Sequence, residues 1–516
     1  MNNNFMEDNQ PFNIVDLLEK AAQKTPDKTA LIYKNKKVTF GEFAASIDQT
    51  AAYFLKKGIQ KGDRVMVFVP MSDDLYRIVL ALFKIGAVAV FLDEWVSLKR
   101  LNVCCKLAHC KAFISTTKGR ILAWFVPGLR QIPLHLGVDF DKNLVAANLP
   151  KTLENDIALI TFTTGSTGNP KAAIRTHGLL REQFLALQPI LEFDPADICM
   201  PALPIVLLLN LGAGVTSVIP DFNARKPGSL KSENIIDQIE THAVTSIIAS
   251  PFFVKEISKH LSKKHLTLPH IQKIFTGGAP VFPSEATLYR NAFPDTNIQI
   301  VYGSTEAEPI SSVDADVLIE NQDEKGLLVG MPEPAATVKI IQIRENLEIS
   351  TQKELEGIEV TQGEIGEIIV SGKHVLRAYL HNEEALKRNK IFIGETCWHR
   401  TGDSGYFGPD GNLYLTGRCN TLIFNQNEIV SPFMYENYFQ TLEGIEMGTI
   451  LMLAGKITAI IELKNSRFHD NVKQTLEKEF EKILFIKKIP RDPRHNSKID
   501  YERLRRLAGQ YTFLNS

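Results

Sequence analysis

Nine consecutive residues, Thr163-Thr164-Gly165-Ser166-Thr167-Gly168-Asn169-Pro170-Lys171, carry hydroxyls, two glycines and a lysine, and almost nothing able to pack a core. Apolar sequence precedes them at Ile157-Ala158-Leu159-Ile160 and follows them at Ala172-Ala173-Ile174. A glycine-rich polar loop between two buried segments brings backbone N–H groups close to phosphate oxygens, where successive amides form an anion nest. The hydroxyls and Lys171 add donors, so a polyphosphate is the ligand to expect. The loop is not a Walker loop, which needs G-x-x-x-x-G-K-[ST] opening a helix. Here Asn169-Pro170 stands before the lysine and Ala172 to Thr176 reads as a strand, giving strand–loop–strand. Taken alone, a surface turn rich in Gly, Ser and Thr is the competing reading.

Four further clusters lie at strand ends or in polar loops. Thr276-Gly277-Gly278-Ala279-Pro280 is a glycine turn on which a flat ring can lie against the backbone. Val301-Tyr302-Gly303-Ser304-Thr305-Glu306 offers an aromatic face, hydroxyls and a carboxylate, suited to a base, a phosphate and Mg²⁺. Trp398-His399-Arg400-Thr401-Gly402-Asp403 ends a strand with an acid able to accept both hydroxyls of a ribose. Arg494-His495-Asn496-Ser497-Lys498-Ile499 sets one lysine in a polar loop before the last helix. Each has a plainer reading alone: an ordinary turn, a solvated acid, a surface lysine. Their joint order is what argues against those readings.

The elements that must hold these clusters are legible as alternation. Ile14 to Ala22, Phe43 to Leu55 and Leu75 to Ile85 have helical apolar spacing. Thr29 to Tyr33 with Lys37 to Phe40 reads as a hairpin, and Arg64 to Val69 and Ala87 to Leu92 as buried strands. Strands at Thr245 to Ala249 and Lys273 to Thr276 continue the β–α–β pattern, which implies a mainly parallel sheet with helices on both faces and ligands at strand carboxyl ends. From about residue 330 short strands (Ala336 to Ile343, Gly366 to Val370, Leu413 to Leu415) suggest a more antiparallel unit. After Gly417-Arg418 come strands at Thr449 to Leu453 and Ile457 to Leu463 and amphipathic helices at Asn471 to Ile483 and Tyr501 to Gly509. The expected fold is therefore α/β: a large N-terminal domain, 1–417, of βαβ layers with a β-rich subdomain, and a small C-terminal α+β domain, 418–516, carrying Lys498.

Composition sets the class. The chain has 516 residues, beyond the size at which a single core stops growing. It is 44% hydrophobic and 23% charged with a net charge of -1, so nothing favours nucleic acid or an anionic membrane surface. The first residues lack a basic region of signal type, and the longest apolar run, Ile78 to Leu92, is broken by Lys84 and too short to span a bilayer. A cytoplasmic protein is expected. Six cysteines in so long a chain make no disulfide framework. Cys104, Cys105, His109 and Cys110 cluster on one helix without a second ligand pair at zinc spacing, so buried structural cysteines are expected.

With these motifs in this order, the chain resembles the acyl-adenylate-forming superfamily, which includes acyl-CoA synthetases, luciferases and nonribosomal-peptide adenylation domains. The resemblance runs from Val38-Thr39-Phe40 to Lys498. It implies that Thr163, Thr164, Gly165, Ser166, Thr167, Gly168 and Lys171 grip the ATP β- and γ-phosphates. Gly278, Ala279 and Pro280 would line the adenine, with Tyr302 stacking on it beside Gly303 and Ser304. Thr305 would contact the α-phosphate, Glu306 would bind Mg²⁺, and Asp403 and Arg418 would hold the ribose. Lys498 would bridge the α-phosphate and the substrate carboxylate. The implied reaction is attack of a carboxylate on the α-phosphorus, giving acyl-AMP and pyrophosphate, with the small domain swinging after Arg418.

Pro204 to Gly212, Thr216 to Asp221, Tyr302 to Pro309, Trp398 to Arg400 and Arg494 to Lys498 resemble the β-lactone synthetases of bacterial olefin biosynthesis. That branch implies a long-chain β-hydroxy acid whose own hydroxyl expels AMP. The apolar run Pro204 to Leu211 would form a wall of the acyl pocket through Leu207, Leu208 and Leu209, besides being a buried strand or helix. Two departures from the thioester-forming pattern disfavour CoA. Asn420 stands two positions after the Gly-Arg arginine, and Asn427 stands where a glycine usually lets pantetheine pass. The implied substrate is thus fatty-acid-like, with ATP and Mg²⁺ as cofactors and a carrier protein or pathway enzymes as the partners to test. The competing classes are a thioester-forming ligase, a non-catalytic nucleotide or acyl sensor, and an adenylating module for an amino acid or aryl acid.

Overall fold

The computed structural model describes residues 10–92, 98–140, 144, 148–164, 170–222, 227–321, 325–425, 428–491 and 499–514. Two sheets form its larger part. One runs, in spatial order, through Leu134–Leu136, Ala112–Ser115, Arg64–Phe68, Val88–Phe91, Ile157–Thr164 and Pro170–Thr176. Its pairings are parallel except the last, which is antiparallel. The second has eight strands, from Ala307–Asp314 and Asn297–Ser304 through Lys273–Gly277, Ser246–Ala249, Ile198–Pro201 and Thr216–Val218 to Thr29–Tyr33 and Lys36–Thr39. It is parallel in its interior and antiparallel at both edges. The edge pairs are the two hairpin-like connections, which need no crossover helix.

Local sequence accounts for the helices between these strands. Thr39 caps Phe40–Lys56 through a capping box with Glu42, and Ser72 caps Asp73–Lys84 by accepting from Leu75 N–H. Proline opens Pro204–Ala213, Pro251–Lys264 and Pro283–Ala292, where the missing N–H costs nothing. Strands such as Ser246–Ala249 are buried along their whole length, as expected of strands covered on both faces. Cys104, Cys105 and Cys110 are buried in the same core; burial pushes the Cys104 thiol up to about 11 and the other two to about 12, so all three stay neutral. No helix among the described residues is long and apolar enough to cross a membrane.

A third, antiparallel sheet joins Leu327–Gly330, Leu413–Arg418, Thr396–Phe407, Gly366–Ser371 and Thr337–Ile341, with Lys390–Ile393 also paired to Thr396–Phe407. After it come Ile445–Leu453, Lys456–Leu463 and Lys482–Phe485 in a three-stranded sheet, with helices Pro432–Thr441, His469–Leu476 and Tyr501–Leu514. The α/β class read from the sequence is the class observed.

Two local expectations need correcting. Asp403 does not end its strand: Thr396–Phe407 continues past it because both of its edges are paired, and the chain relieves the long strand with a register shift between Ser404 and Gly405. The amphipathic run after Asn471 is not one helix to Ile483. The helix stops at Leu476, and Lys482–Phe485 pairs in parallel with Lys456–Leu463. The open edge of that strand outweighed helical periodicity, which Val472 and Leu476 had already spent on the core.

Candidate active site

The strands Lys273–Gly277 and Asn297–Ser304 lie side by side in parallel, Gly277 opposite Val301. Both sequence clusters thus arrive at the same sheet end. A Cβ on Gly277 would stand 2.5 Å from the Val301 carbonyl oxygen, so only glycine permits this approach, and Gly278 takes a left-handed φ of 83°. Ala279 and Pro280 follow in the same turn and, with Gly278, line the central cavity. The hydroxyls of Thr276 and Ser304 are buried and pair with no described residue.

Across the cavity mouth, Tyr302 donates its hydroxyl to Asp403 Oδ2 at 2.9 Å. Arg418 Nε meets the other oxygen, Asp403 Oδ1, at 3.1 Å, and its Nη1 donates to the Thr401 carbonyl at 3.0 Å. Asp403 and Arg418 are register partners on neighbouring strands, which sets this pairing. Burial, then the Asp403 charge, pushes the Tyr302 hydroxyl well above its ordinary range, so it stays a donor. The two groups expected at a ribose therefore bind each other, and the tyrosine expected at a base is tied to them by its hydroxyl.

A second cluster surrounds Glu306. Tyr379 donates its hydroxyl to Glu306 Oε1 at 3.2 Å, and the Glu306 carbonyl accepts from Leu376 N–H at 2.8 Å. Lys171 is buried, donates to Asn389 Oδ1 at 3.3 Å, and lies 6.0 Å from the Tyr379 ring centre. Burial lowers its pKa; Glu306 pulls it back up, and Arg388 and Arg418 oppose that. Lys390 is buried on the other flank, also 6.0 Å from the Tyr379 ring, with a pKa reduced by burial to about 8. Arg175 completes the group: Nη1 donates to Thr161 Oγ1 at 2.7 Å and Nη2 to the Thr305 carbonyl at 2.9 Å. Beneath, Arg400 and Glu367 form a buried ion pair at 2.5 Å.

One cavity of about 2550 Å³ connects these clusters. Its polar end holds Lys171, Arg175, Thr305, Glu306, Asp403 and Arg418. Its apolar end is walled by Leu180, Phe184 and Leu187 of His177–Leu191, by Leu203, Leu208 and Leu209, and by Phe253 and Phe275. Leu207 is not part of that wall. It is fully buried in the core beside Leu211, four residues on, because the helical period turns 207 and 211 away from the face that bears 208. Glu436, Tyr501 and Arg505 from the last hundred residues line the same cavity, as does Asn420, whose carbonyl accepts from Arg505 Nη2 at 3.1 Å.

Thr163 and Thr164 lie on the strand Ile157–Thr164. Gly165, Ser166, Thr167, Gly168, Asn427 and Lys498 lie outside the described residues. Sequence reasoning missed Tyr379, Arg175, Asn389, Lys390 and Glu308, all at or beside the polar end. Arg175 did leave a signal: it is a charge in the otherwise apolar strand run Ala172-Ala173-Ile174. Tyr379 left none, since its role depends on a chain crossing that brings it to Ala173 by an isolated bridge.

Residues 18–380 match the family model described as AMP-binding enzyme. Among curated proteins, the olefin β-lactone synthetase of Stenotrophomonas maltophilia is 26% identical over 96% of this chain and 98% of its own. The olefin β-lactone synthetase of Xanthomonas campestris pv. campestris is 28% identical over 79% of this chain and 78% of its own. Among solved structures, O-succinylbenzoate coenzyme A synthetase from Bacillus subtilis, in complex with ATP and magnesium ion, superposes with a TM-score of 0.78 at 22% identity, covering 96% of this chain and 99% of its own.

Proposed function

On the premise that this chain belongs to the AMP-binding enzyme family and is an AMP-forming acyl-activating ligase, we propose that it activates a long-chain β-hydroxy fatty acid and closes it to a β-lactone. The observation that carries the substrate class is the continuous cavity, apolar at the helix His177–Leu191 and charged at Glu306 and Asp403. An aliphatic chain gains from the first end, at roughly 0.8 kcal/mol for each buried CH₂. The carboxylate then arrives at the second. The names of the two curated relatives support the lactone step.

In the first step a carboxylate oxygen attacks the α-phosphorus of ATP, and the bond to the β-phosphate oxygen breaks to release pyrophosphate. In the second the substrate's own hydroxyl oxygen attacks the activated carbonyl carbon. The hydroxyl proton goes to solvent, and the carbon–oxygen bond to AMP breaks with its electron pair on the phosphate. The attack is intramolecular, so positioning supplies much of what a second substrate would otherwise cost. Lys171 would neutralise the outer phosphates and Arg418 would face the ribose, with Asp403 released from their mutual pairing as the nucleotide enters. Glu306 would hold Mg²⁺; its Oε2 takes no hydrogen bond from a described residue and is a hard oxygen donor of the kind that ion prefers. The ion would supply charge neutralisation on the triphosphate. Lys498 would reach the α-phosphate and the substrate carboxylate.

The test is product identification by mass spectrometry after incubation with ATP, Mg²⁺ and a 3-hydroxy fatty acid, with and without CoA. A β-lactone, AMP and pyrophosphate without CoA is the expected result. An acyl product seen only with CoA would overturn the lactone step, and no acid-dependent pyrophosphate release with any chain length would overturn the fatty-acid reading.

A further inference from the structure

Glu308 stands two residues beyond Glu306, on the strand Ala307–Asp314. Alternation along that strand sends Ala307 into the core and turns Glu308 to the other side, where it lines the cavity together with Arg175. Its stem packs on Gly303: a Cβ there would lie 3.3 Å from Glu308 Cγ. No described residue donates a hydrogen bond to the Glu308 carboxylate. Glu308 is half-buried, and a carboxylate drawn away from bulk water is costly unless it is both charge-balanced and hydrogen-bonded. Arg175 supplies the first: among the charges acting on it, Glu308 is the strongest and Glu306 the next. No hydrogen bond joins Arg175 and Glu308: the terminal nitrogens of Arg175 donate to Thr161 and Thr305, and its buried Nε pairs with no described residue.

A donor on the substrate would complete the site, and its chemistry is constrained twice. Because Arg175 already balances the charge, a neutral donor suffices and an ammonium is not called for. Because Arg175 Nη2 lies 2.9 Å from the Thr305 carbonyl, the pair sits beside the residue expected at the α-phosphate, so the donor belongs within a few bonds of the reacting carboxyl carbon. The apolar wall at Leu208 and Leu209 serves the rest of the chain.

We infer that Glu308, backed by Arg175, is the specificity-determining residue that accepts a hydrogen bond from a hydroxyl close to the substrate's carboxyl group. The inference rests on the fatty-acid reading above and adds the residue that distinguishes a hydroxylated acid from a plain one.

The experiment measures kcat/KM for acid-dependent pyrophosphate release with a 3-hydroxy fatty acid and with the unsubstituted acid of equal length. It compares wild type, Glu308→Leu and Glu308→Gln, with thermal melting to certify each fold. The ratio between the two acids is the readout, not the absolute rate. Wild type should favour the hydroxy acid, and Glu308→Leu should reduce that ratio about tenfold or more, the scale of one lost hydrogen bond to a charged group. Glu308→Gln keeps a carbonyl acceptor and should fall between. If Glu308→Leu does not fold, the glutamine variant carries the test by the same ratio. A ratio equal in wild type and variants overturns the inference while leaving the fatty-acid reading standing. Failure of wild type to activate either acid overturns both.

Discussion

Asp403 is the residue on which the proposed nucleotide end turns, because it accepts from Tyr302 through one oxygen and pairs with Arg418 through the other. Its neutral isostere would keep the shape and lose the charge. Asp403→Asn is expected to raise KM for ATP about tenfold or more, the range for hydrogen bonds that involve a charged group, with a smaller change in kcat. Steady-state pyrophosphate release against ATP concentration checks this; an unchanged KM would remove Asp403 from nucleotide binding. The residue types here were legible in the sequence, since an acid after Thr-Gly and an arginine after Gly are few and well placed. Their mutual pairing was not, because 15 positions of chain separate Asp403 from Arg418 and only strand register makes them neighbours.

Elements position these residues, and the entry to the helix His177–Leu191 shows how tightly. His177 is fully buried, its Nδ1 accepts from Ile14 N–H at 3.2 Å, and its ring meets Phe83 edge-on at 5.9 Å. One side chain thus ties the first helix to the helix that walls the apolar end of the cavity. Burial, only partly opposed by Asp156, lowers the His177 pKa to about 4. In the unfolded chain a histidine takes its proton near pH 6.5. Between those values the unfolded state binds more protons, so this contribution to stability is whole above about 6.5 and is lost as pH falls toward 4. The melting temperature of wild type should therefore fall more steeply over that window than that of His177→Gln, whose amide oxygen can still accept from Ile14. Parallel curves for the two proteins would assign the acid sensitivity elsewhere. At this scale periodicity foretold the helices near Ile14, Phe43, Leu75 and Tyr501, but not His177–Leu191, nor the face of Pro204–Ala213 on which Leu207 lies.

At the scale of the molecule, the cavity takes its walls from three sheets and from the last hundred residues, through Glu436, Tyr501 and Arg505. We propose that the segment 418–516 moves as a unit about Arg418 and brings Lys498 to the reacting phosphate. Lys498→Ala should then reduce acid-dependent pyrophosphate release by about 100-fold or more, the scale for losing one preorganised charge at the reacting group. ATP affinity, read by titration calorimetry, should change little; turnover equal to wild type would exclude Lys498 from the chemistry. By itself the sequence determined the α/β class, the family resemblance and the residue types of the proposed nucleotide site, because glycine turns, strand-end hydroxyls and isolated acids are local features that need no partner to be recognised. Only the tertiary structure decided that Tyr379 steadies Glu306, that Arg175 lies behind Thr305 and Glu308, and that Leu208 faces the cavity while Leu207 does not. Those facts depend on which strand crosses which and on where a helix face points, and both are settled by long-range packing rather than by neighbours in the chain.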